Sequence, residues 1–474
     1  MKSSAAVKII LTIFLSVFVN SNGITLAQTK SSTVNDVAAT PPMGWNSYDA
    51  FGSTITESQF KAEVNFMKRN LLKYGWKYAV IDYLWFNPDP GGWKKSKSFY
   101  EEQNVRLDKD GRPIDSLTMD KYGRLLPAVN RFPSNVNGKG FKPIADYVHK
   151  LGLKFGFHIM RGIPRQAYWD NTPIKGTSYT AREIADTNSS DLCKWNNNMY
   201  GVDPNKPGAQ EYYNSLFDLY AKWGADFIKV DDIARPYHKG EIEMIRRAID
   251  QCGRPMVLSL SPGEAPLSEA DNLIKNANMW RVSDDMWDNW KNVRHNFDLL
   301  DKWSPYIRKH HYPDADMMPL GHLSLNGRPV GPDRMSHLTK NETYTLLSLW
   351  CIAHSPLIMG GDLLTSPRWV ISLLQNKEVI EVDQHSSDNH QVFRNDDEAI
   401  WMAKGAKPGV IYIALFNLED KQQTIEFKFD SVPGLKGYYK VRNLWSKKDL
   451  GVRMKSISAA LGAHGAGLFK LEEE

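Results

Sequence analysis

The stretch Asp226-Phe-Ile-Lys-Val-Asp231 decides the architecture. It is a short apolar run, broken by one lysine and closed by a carboxylate. Side chains on a strand alternate between faces. Ile228 and Val230 therefore fall on one face, and Lys229 and Asp231 share the other. An apolar side for helices and a charged C-terminal end are what a buried parallel strand shows where its edge opens on a site. Just upstream, Tyr213, Leu216, Leu219 and Tyr220 recur at helical spacing and stop at Gly224, a helix that ends on glycine before the strand begins.

The same unit repeats on both sides. Residues 77–82, 154–160, 255–261 and 279–284 read as buried strands, all but 154–160 ending in a polar residue. Phe60, Val64, Met67 and Leu71 before Gly75, and Ile144, Val148 and Leu151 before Gly152, read as helices. Alternating strands and helices call for a parallel sheet. A doubly wound sheet would carry Gly-x-Gly-x-x-Gly after its first strand, and this chain does not. About eight units fit between residues 40 and 388, which predicts an α/β fold, a (β/α)8 barrel. Two stretches, roughly 86–140 and 161–206, are too long for ordinary connections and follow strand C-termini, so they are expected to wall a pocket. After Asn389 short alternating runs such as Val410-Ile-Tyr-Ile-Ala-Leu-Phe416 are separated by Gly, Pro, Asn and Asp. Residues 389–474 are predicted to form a C-terminal antiparallel β-sandwich.

Composition narrows the function classes. The 474 residues carry 59 Lys+Arg against 54 Asp+Glu, a net charge of +5. That balance excludes the concentrated basic face of a nucleic-acid binder and the charge excess of a disordered chain. Aromatic residues make up 11%, and Trp and Tyr offer flat apolar faces with polar edges, which suit the C–H faces of sugar rings as well as a large core. Lys2 and Lys8 precede a short apolar run, residues 9–19, and Thr25-Leu-Ala27 supplies small residues for cleavage. Residues 1–27 are expected to be a signal peptide and the mature protein to be secreted or periplasmic, with no membrane span. Cys193, Cys252 and Cys351 are too few and too scattered for a disulfide framework.

In a barrel, polar residues at strand C-termini face the mouth. Here they are Asp82, His158, Lys229, Asp231, Asp232, Arg281, Ser283, Asp284 and Asp285, followed by Asp314 and Asp316. Burying so many charges together costs several kcal/mol, which favours function over stability as their reason. An ammonium two residues from Asp231 keeps that carboxylate ionised, and two carboxyl groups across a mouth, one ionised and one protonated, are the parts for glycoside hydrolysis. The bland alternatives are a rim ion pair of Asp231 with Lys229 and a helix N-cap at Asp285.

Pro42-Met-Gly-Trp-Asn-Ser-Tyr48, Asp226-Phe-Ile-Lys-Val-Asp231, Arg281-Val-Ser-Asp-Asp285 with Trp290, Pro313-Asp-Ala-Asp-Met317 and Ser355-Pro-Leu-Ile-Met-Gly-Gly-Asp362 resemble glycoside hydrolase family 27, the α-galactosidases and α-N-acetylgalactosaminidases. The resemblance runs from about residue 40 to the end. It implies retention through a covalent glycosyl-enzyme, with Asp231 as nucleophile and Asp285 as acid/base. It places Trp45, Asp82, Lys229, Arg281 and Asp316 at the sugar, and needs no cofactor and no metal. Three departures bear on the sugar. Asp82-Tyr83 stands where family galactosidases often carry paired Asp reading O4 and O6, and His158 stands where they often have Tyr. Ser261-Pro-Gly-Glu264 replaces a Glu-Trp-Pro type that packs near the C2 hydroxyl. The expected partner is a carbohydrate with a terminal α-linked galactose. α-N-Acetylgalactosaminidase and β-L-arabinopyranosidase are the alternatives, and the oligomeric state is left open. From other classes come two rivals: a metal-dependent hydrolase built on His158, His310, His311 and the aspartates, and a non-catalytic carbohydrate-binding protein.

Overall fold

Eight parallel strands form the central sheet of the computed structural model, which describes residues 33–90, 116–261, 263–326 and 331–474. The expected signal peptide and residues 91–115 of the first long insertion lie outside the described residues. In chain order the strands are β1 (Met43–Asn46), β2 (Tyr78–Ile81), β3 (Lys154–Met160), β4 (Phe227–Asp231), β5 (Val257–Leu260), β6 (Met279–Arg281), β7 (Tyr312–Asp314) and β8 (Leu357–Met359). Neighbours in sequence are neighbours in space from β1 to β7, and β8 returns to pair with β1. A parallel bridge from Met318, just past β7, to Met359 of β8 brings the two ends of the sheet together. This is the (β/α)8 barrel expected from the alternation.

The period-2 pattern survives into the packing. Tyr78, Val80, Phe227, Val257, Met279, Tyr312 and Ile358 form one buried cluster, the interior of the barrel. Ala79, Ile81, Ile228, Val230, Leu258, Leu260 and Trp280 join the larger core with the surrounding helices. Lys229 and Asp231 follow Phe227 on the interior side, as their register requires.

The longer helices are α1 (Glu57–Asn70), α2 (Lys142–Lys150), α3 (Ala209–Trp223), α4 (Lys239–Gln251), α5 (Ala270–Asn276), α6 (Trp290–Trp303), α7 (Lys340–Ile352) and α8 (Lys377–His385). The α1 helix begins at a capping box, Thr56 with Gln59, which satisfies two orphan amide donors. The α3 helix ends at Gly224, whose φ of +88° is the left-handed cap that glycine adopts without strain. Two expectations need correction. The strand read as 279–284 stops at Arg281, so Ser283 and Asp285 reach their places on a turn. Asp285 is not a helix cap, because α6 starts at Trp290 behind the N-cap Asn289, which accepts from Asn292 N.

The second insertion folds on itself as a small antiparallel sheet of Ile163–Pro164, Met199–Val202 and Ala185–Asp186. The C-terminal strands are β9 (Ser387–Arg394), β10 (Glu398–Lys404), β11 (Val410–Asn417), β12 (Gln423–Lys428), β13 (Tyr439–Asn443), β14 (Lys448–Arg453), β15 (Ser456–Leu461) and β16 (Ala466–Glu473). They make a six-stranded sheet, β9-β10-β11-β16-β13-β14, and a two-stranded partner, β12-β15. Ile400, Met402, Ile413, Leu415, Phe469 and Leu471 face Ile425, Phe427 and Ile457 between the sheets. The alternate positions Ala399, Trp401, Ala403, Ala414, Phe416 and Leu468 belong to the barrel's core, so this β-sandwich shares its outer face with the helices. Phe297 of α6 meets Phe416 edge-on at 4.9 Å.

Candidate active site

A cavity of about 450 Å³ opens beyond the strand C-termini, lined by Tyr48, Asp49, Asp82, Tyr83, Trp195, Lys229, Asp231, Arg235, Ser261, Arg281, Asp284, Asp285, Met286, Trp287, Asp316 and Met317. Both proposed carboxylates are in it. Asp231 ends β4 with its side chain 13% exposed, and both its oxygens are held. Oδ1 accepts the Asp232 backbone N–H at 2.8 Å, and Oδ2 bonds His158 Nε2 at 2.8 Å. Asp285 is looser, with its side chain 58% exposed and one contact, Oδ1 to Arg281 Nη2 at 3.3 Å. One group is thus fixed at the floor and the other loosely held at the rim.

The rim ion pair of Lys229 with Asp231, the bland alternative, is not made; Lys229 Nζ donates to Asp82 Oδ2 at 2.9 Å, and Asn46 donates to the same oxygen at 2.7 Å. Burial alone would push Asp82 up, but Lys229, His158 and these hydrogen bonds hold it well below the usual carboxylate range. Burial opposes the charge of Lys229 as well, and the carboxylates of Asp82, Asp231 and Asp316 outweigh it, so the ammonium stays charged. Arg281 repeats this arrangement on the other side, with Nη1 to Asp316 Oδ1 at 2.8 Å. Asp316 Oδ2 in turn accepts the Met286 backbone N–H at 2.7 Å and shapes the turn that carries Asp285.

The residues predicted from sequence are mostly brought together: Asp82, Tyr83, Lys229, Asp231, Ser261, Arg281, Asp285 and Asp316 all line the cavity. Two are not among its lining. Trp45 is wholly buried and its indole donates to the Gly361 carbonyl at 2.9 Å, so it braces β1 against the segment after β8. His158 is also wholly buried, beneath the floor, and reaches the cavity through its bond to Asp231 and its edge-on contact with Tyr83. Its position on the interior face of β3 lets its ring bond a carboxylate one strand away.

Tyr83 is only 5% exposed, with its hydroxyl accepting from the Asn196 amide. Its ring meets His158 at 5.4 Å and Trp195 at 5.7 Å, both edge-on. Trp195 comes from the second long insertion, which therefore does wall the pocket; no described residue of 116–140 lines it. Tyr48, Asp49, Trp195, Arg235, Met286, Trp287 and Met317 escaped the sequence reading as lining residues. Tyr48 and Met317 lay inside quoted motifs and had a signal, whereas Trp195 and Arg235 sit on loops whose direction no periodicity gives. Arg235 and Asp284 pair at the rim, both exposed.

The histidines that a metal-dependent reading would use are not assembled. His310 and His311 bond the carbonyls of Val37 and Ala277 at 2.7 and 2.8 Å and do not line the cavity. Among the described residues, Asp191, His238 and Glu241 have metal-ligand spacing, but the Arg161 guanidinium already bonds two of them, Asp191 at 3.1 Å and Glu241 at 2.9 Å. Cys193, Cys252 and Cys351 are free thiols.

Comparison with known proteins fits this geometry. The family profile described as Alpha galactosidase A matches residues 199–385, and the one described as Alpha galactosidase C-terminal beta sandwich domain matches 395–471. A β-L-arabinopyranosidase of this family from Geobacillus stearothermophilus, solved in complex with arabinose, is 47% identical. The match covers 93% of this chain and 99% of that one, with a TM-score of 0.86. The chain belongs to glycoside hydrolase family 27. A protein described as a putative α-N-acetylgalactosaminidase from Bacillus halodurans is 45% identical over 92% of this chain and 97% of that one, with a TM-score of 0.79. Alpha-galactosidase 2 of Arabidopsis thaliana is 25% identical over 92% of this chain and 90% of its own length. This member of family 27 is a glycosidase, and its substrate is a carbohydrate. None of its described helices is long and apolar enough to cross a membrane.

Proposed function

We propose that this glycosidase releases terminal β-L-arabinopyranose by double displacement. The observation that carries the sugar is Tyr83 beside Asp82 at the end of β2. β-L-Arabinopyranose has the ring configuration of α-D-galactopyranose and lacks only its hydroxymethyl group. Asp82 remains as an acceptor for the axial hydroxyl common to both. Its usual neighbouring carboxylate, the partner of a C6 hydroxyl, is replaced by a phenol ring wedged against Trp195 with its own hydroxyl already bonded to Asn196. A C6 hydroxyl brought into such a site gives up its hydrogen bonds to water and finds no partner in exchange, which costs the substrate that carries it. The similarity to a β-L-arabinopyranosidase supports this reading.

In the first step an Asp231 oxygen attacks C1 and the bond from C1 to the leaving oxygen breaks, while Asp285 gives its proton to that oxygen. In the second step Asp285 takes a proton from water, whose oxygen attacks C1 as the ester to Asp231 breaks. The held Asp231 and the exposed Asp285 suit those roles. Arg281 and Lys229, each committed to a carboxylate, keep the floor rigid. A panel of aryl β-L-arabinopyranoside, α-galactoside, α-N-acetylgalactosaminide and α-glucoside tests the sugar. The β-L-arabinopyranoside should give the highest kcat/KM, and preference for the acetamido sugar or the glucoside would refute it. A second reading, α-galactosidase, rests on the retained Asp82 and on relatives such as the Arabidopsis enzyme. It would show as an α-galactoside preference. Export by residues 1–27 is part of the proposal, and N-terminal sequencing of the mature protein should begin after Ala27.

A further inference from the structure

One buried acid of the cavity has no task in this mechanism. Asp49 lies in the short helix Tyr48–Phe51 and lines the same cavity as Asp231, Asp285 and Asp316, with only 3% of its surface exposed. Its backbone is anchored, since its carbonyl accepts the Ser324 N–H at 2.8 Å. Its carboxyl is not, because Oδ2 has no hydrogen-bond partner among the described residues. The group is pressed against the backbone after β8; a Cβ on Gly360 would lie 1.8 Å from that oxygen.

The charged groups that act most strongly on Asp49 are Asp316, Lys229, Asp285 and Asp82. The two buried cations nearby are already committed, Lys229 to Asp82 at 2.9 Å and Arg281 to Asp316 at 2.8 Å. An ionised Asp49 would therefore be a buried anion with no cation of its own, next to other anions, an arrangement that strongly favours the neutral acid. Burial, reinforced by Asp316, holds it well above the usual carboxylate range.

We propose that Asp49 contacts the sugar as a protonated carboxyl, donating a hydrogen bond to a hydroxyl that the ionised carboxylates of the cavity can only accept from. The proposal rests on the cavity being the sugar site. It makes Asp49 a specificity residue whose useful property is its proton, whereas Asp82 and Asp316 act through their charge.

The test uses Asp49→Asn and Asp49→Ala in the full chain, with thermal unfolding to confirm the fold and calorimetric binding of L-arabinose and D-galactose at neutral pH. The amide keeps a donor and an acceptor, so Asp49→Asn should bind within about threefold of the parent. Asp49→Ala should bind roughly tenfold more weakly and raise KM more than it lowers kcat. Alanine binding as tightly as the parent would show there is no contact. Asparagine binding as weakly as alanine would show that an anion is required. Either result overturns the proposal. Failure of the parent to bind either sugar would instead remove the sugar reading together with this one. Infrared difference spectra of the parent against Asp49→Asn supply a measure independent of the alanine variant. Loss of one protonated-carboxyl band supports the proposal, and no loss contradicts it.

Discussion

Asp231 and Asp285 differ in how they are held, and that difference is the basis of their assigned roles. Asp231 is gripped through both oxygens by Asp232 N and His158 Nε2, whereas Asp285 has one long contact. Asp231→Ala should abolish turnover on an aryl glycoside while sugar binding persists, and undiminished turnover would refute the assignment. A non-catalytic binding protein would have no turnover for the substitution to remove. Tyr83 should govern the sugar. Tyr83→Asp restores a carboxylate beside Asp82 and should move the ratio of α-galactoside to β-L-arabinopyranoside kcat/KM upward by about tenfold or more; a ratio that does not move would free Tyr83 of that role. At this scale the sequence was legible where a residue sits on a strand of known register. Lys229, Asp231 and Arg281 face inward because period 2 says so. It was not legible for pairing, since nothing along the chain says that Lys229 would choose Asp82 from β2 over Asp231 on its own strand.

The elements put the charges at the barrel mouth, and β7 shows the cost of doing so. Asp314 is buried on the interior side, where desolvation and the nearby Asp316 push it up from 3.8 to about 7 although Arg281 and the Asp316 N–H pull the other way. In the pH range between those values the folded chain binds this proton more tightly than the unfolded chain. Its contribution to stability is complete below about pH 4 and is lost as pH rises through 7. Asp314→Asn keeps an acceptor for Asp316 N and should gain on the parent by roughly 3–5 kcal/mol between pH 4 and pH 8. Denaturant melts across that range check it; a constant difference would contradict it. The helices that the sequence marked by glycine stops and apolar spacing, α1, α2 and α3, are present where expected. The strand through 279–284 was overread because Val282 and Ser283 continue its alternation. In the barrel the chain must turn after Arg281, where Val282 N bonds Asp314 O and Ser283 Oγ reaches the Ala315 carbonyl. Tertiary closure overrode a local pattern.

At the scale of the whole molecule, barrel and sandwich share a core. Trp401 is wholly buried on the outer face of β10 among barrel residues, and Trp290 of α6 stacks on His464 at 4.0 Å while that histidine bonds Glu342 of α7 at 2.8 Å. Trp401→Ala should cost roughly 3–5 kcal/mol in urea unfolding, with activity per folded molecule unchanged, since no sandwich residue lines the cavity. A loss below 1 kcal/mol would mean that the shared face carries little. The sandwich was legible as alternation, but which face would be outer was not, because Ala399, Trp401 and Ala403 are as apolar as Ile400 and Met402. Double displacement requires the anchored carboxylate at the end of β4 to become covalently bonded to the sugar. Trapping with a fluorinated aryl β-L-arabinopyranoside that slows the second step, followed by peptide mass spectrometry, tests this directly. The account predicts a single glycosyl adduct on Asp231; an adduct on Asp285, Asp316 or any other carboxylate would contradict it.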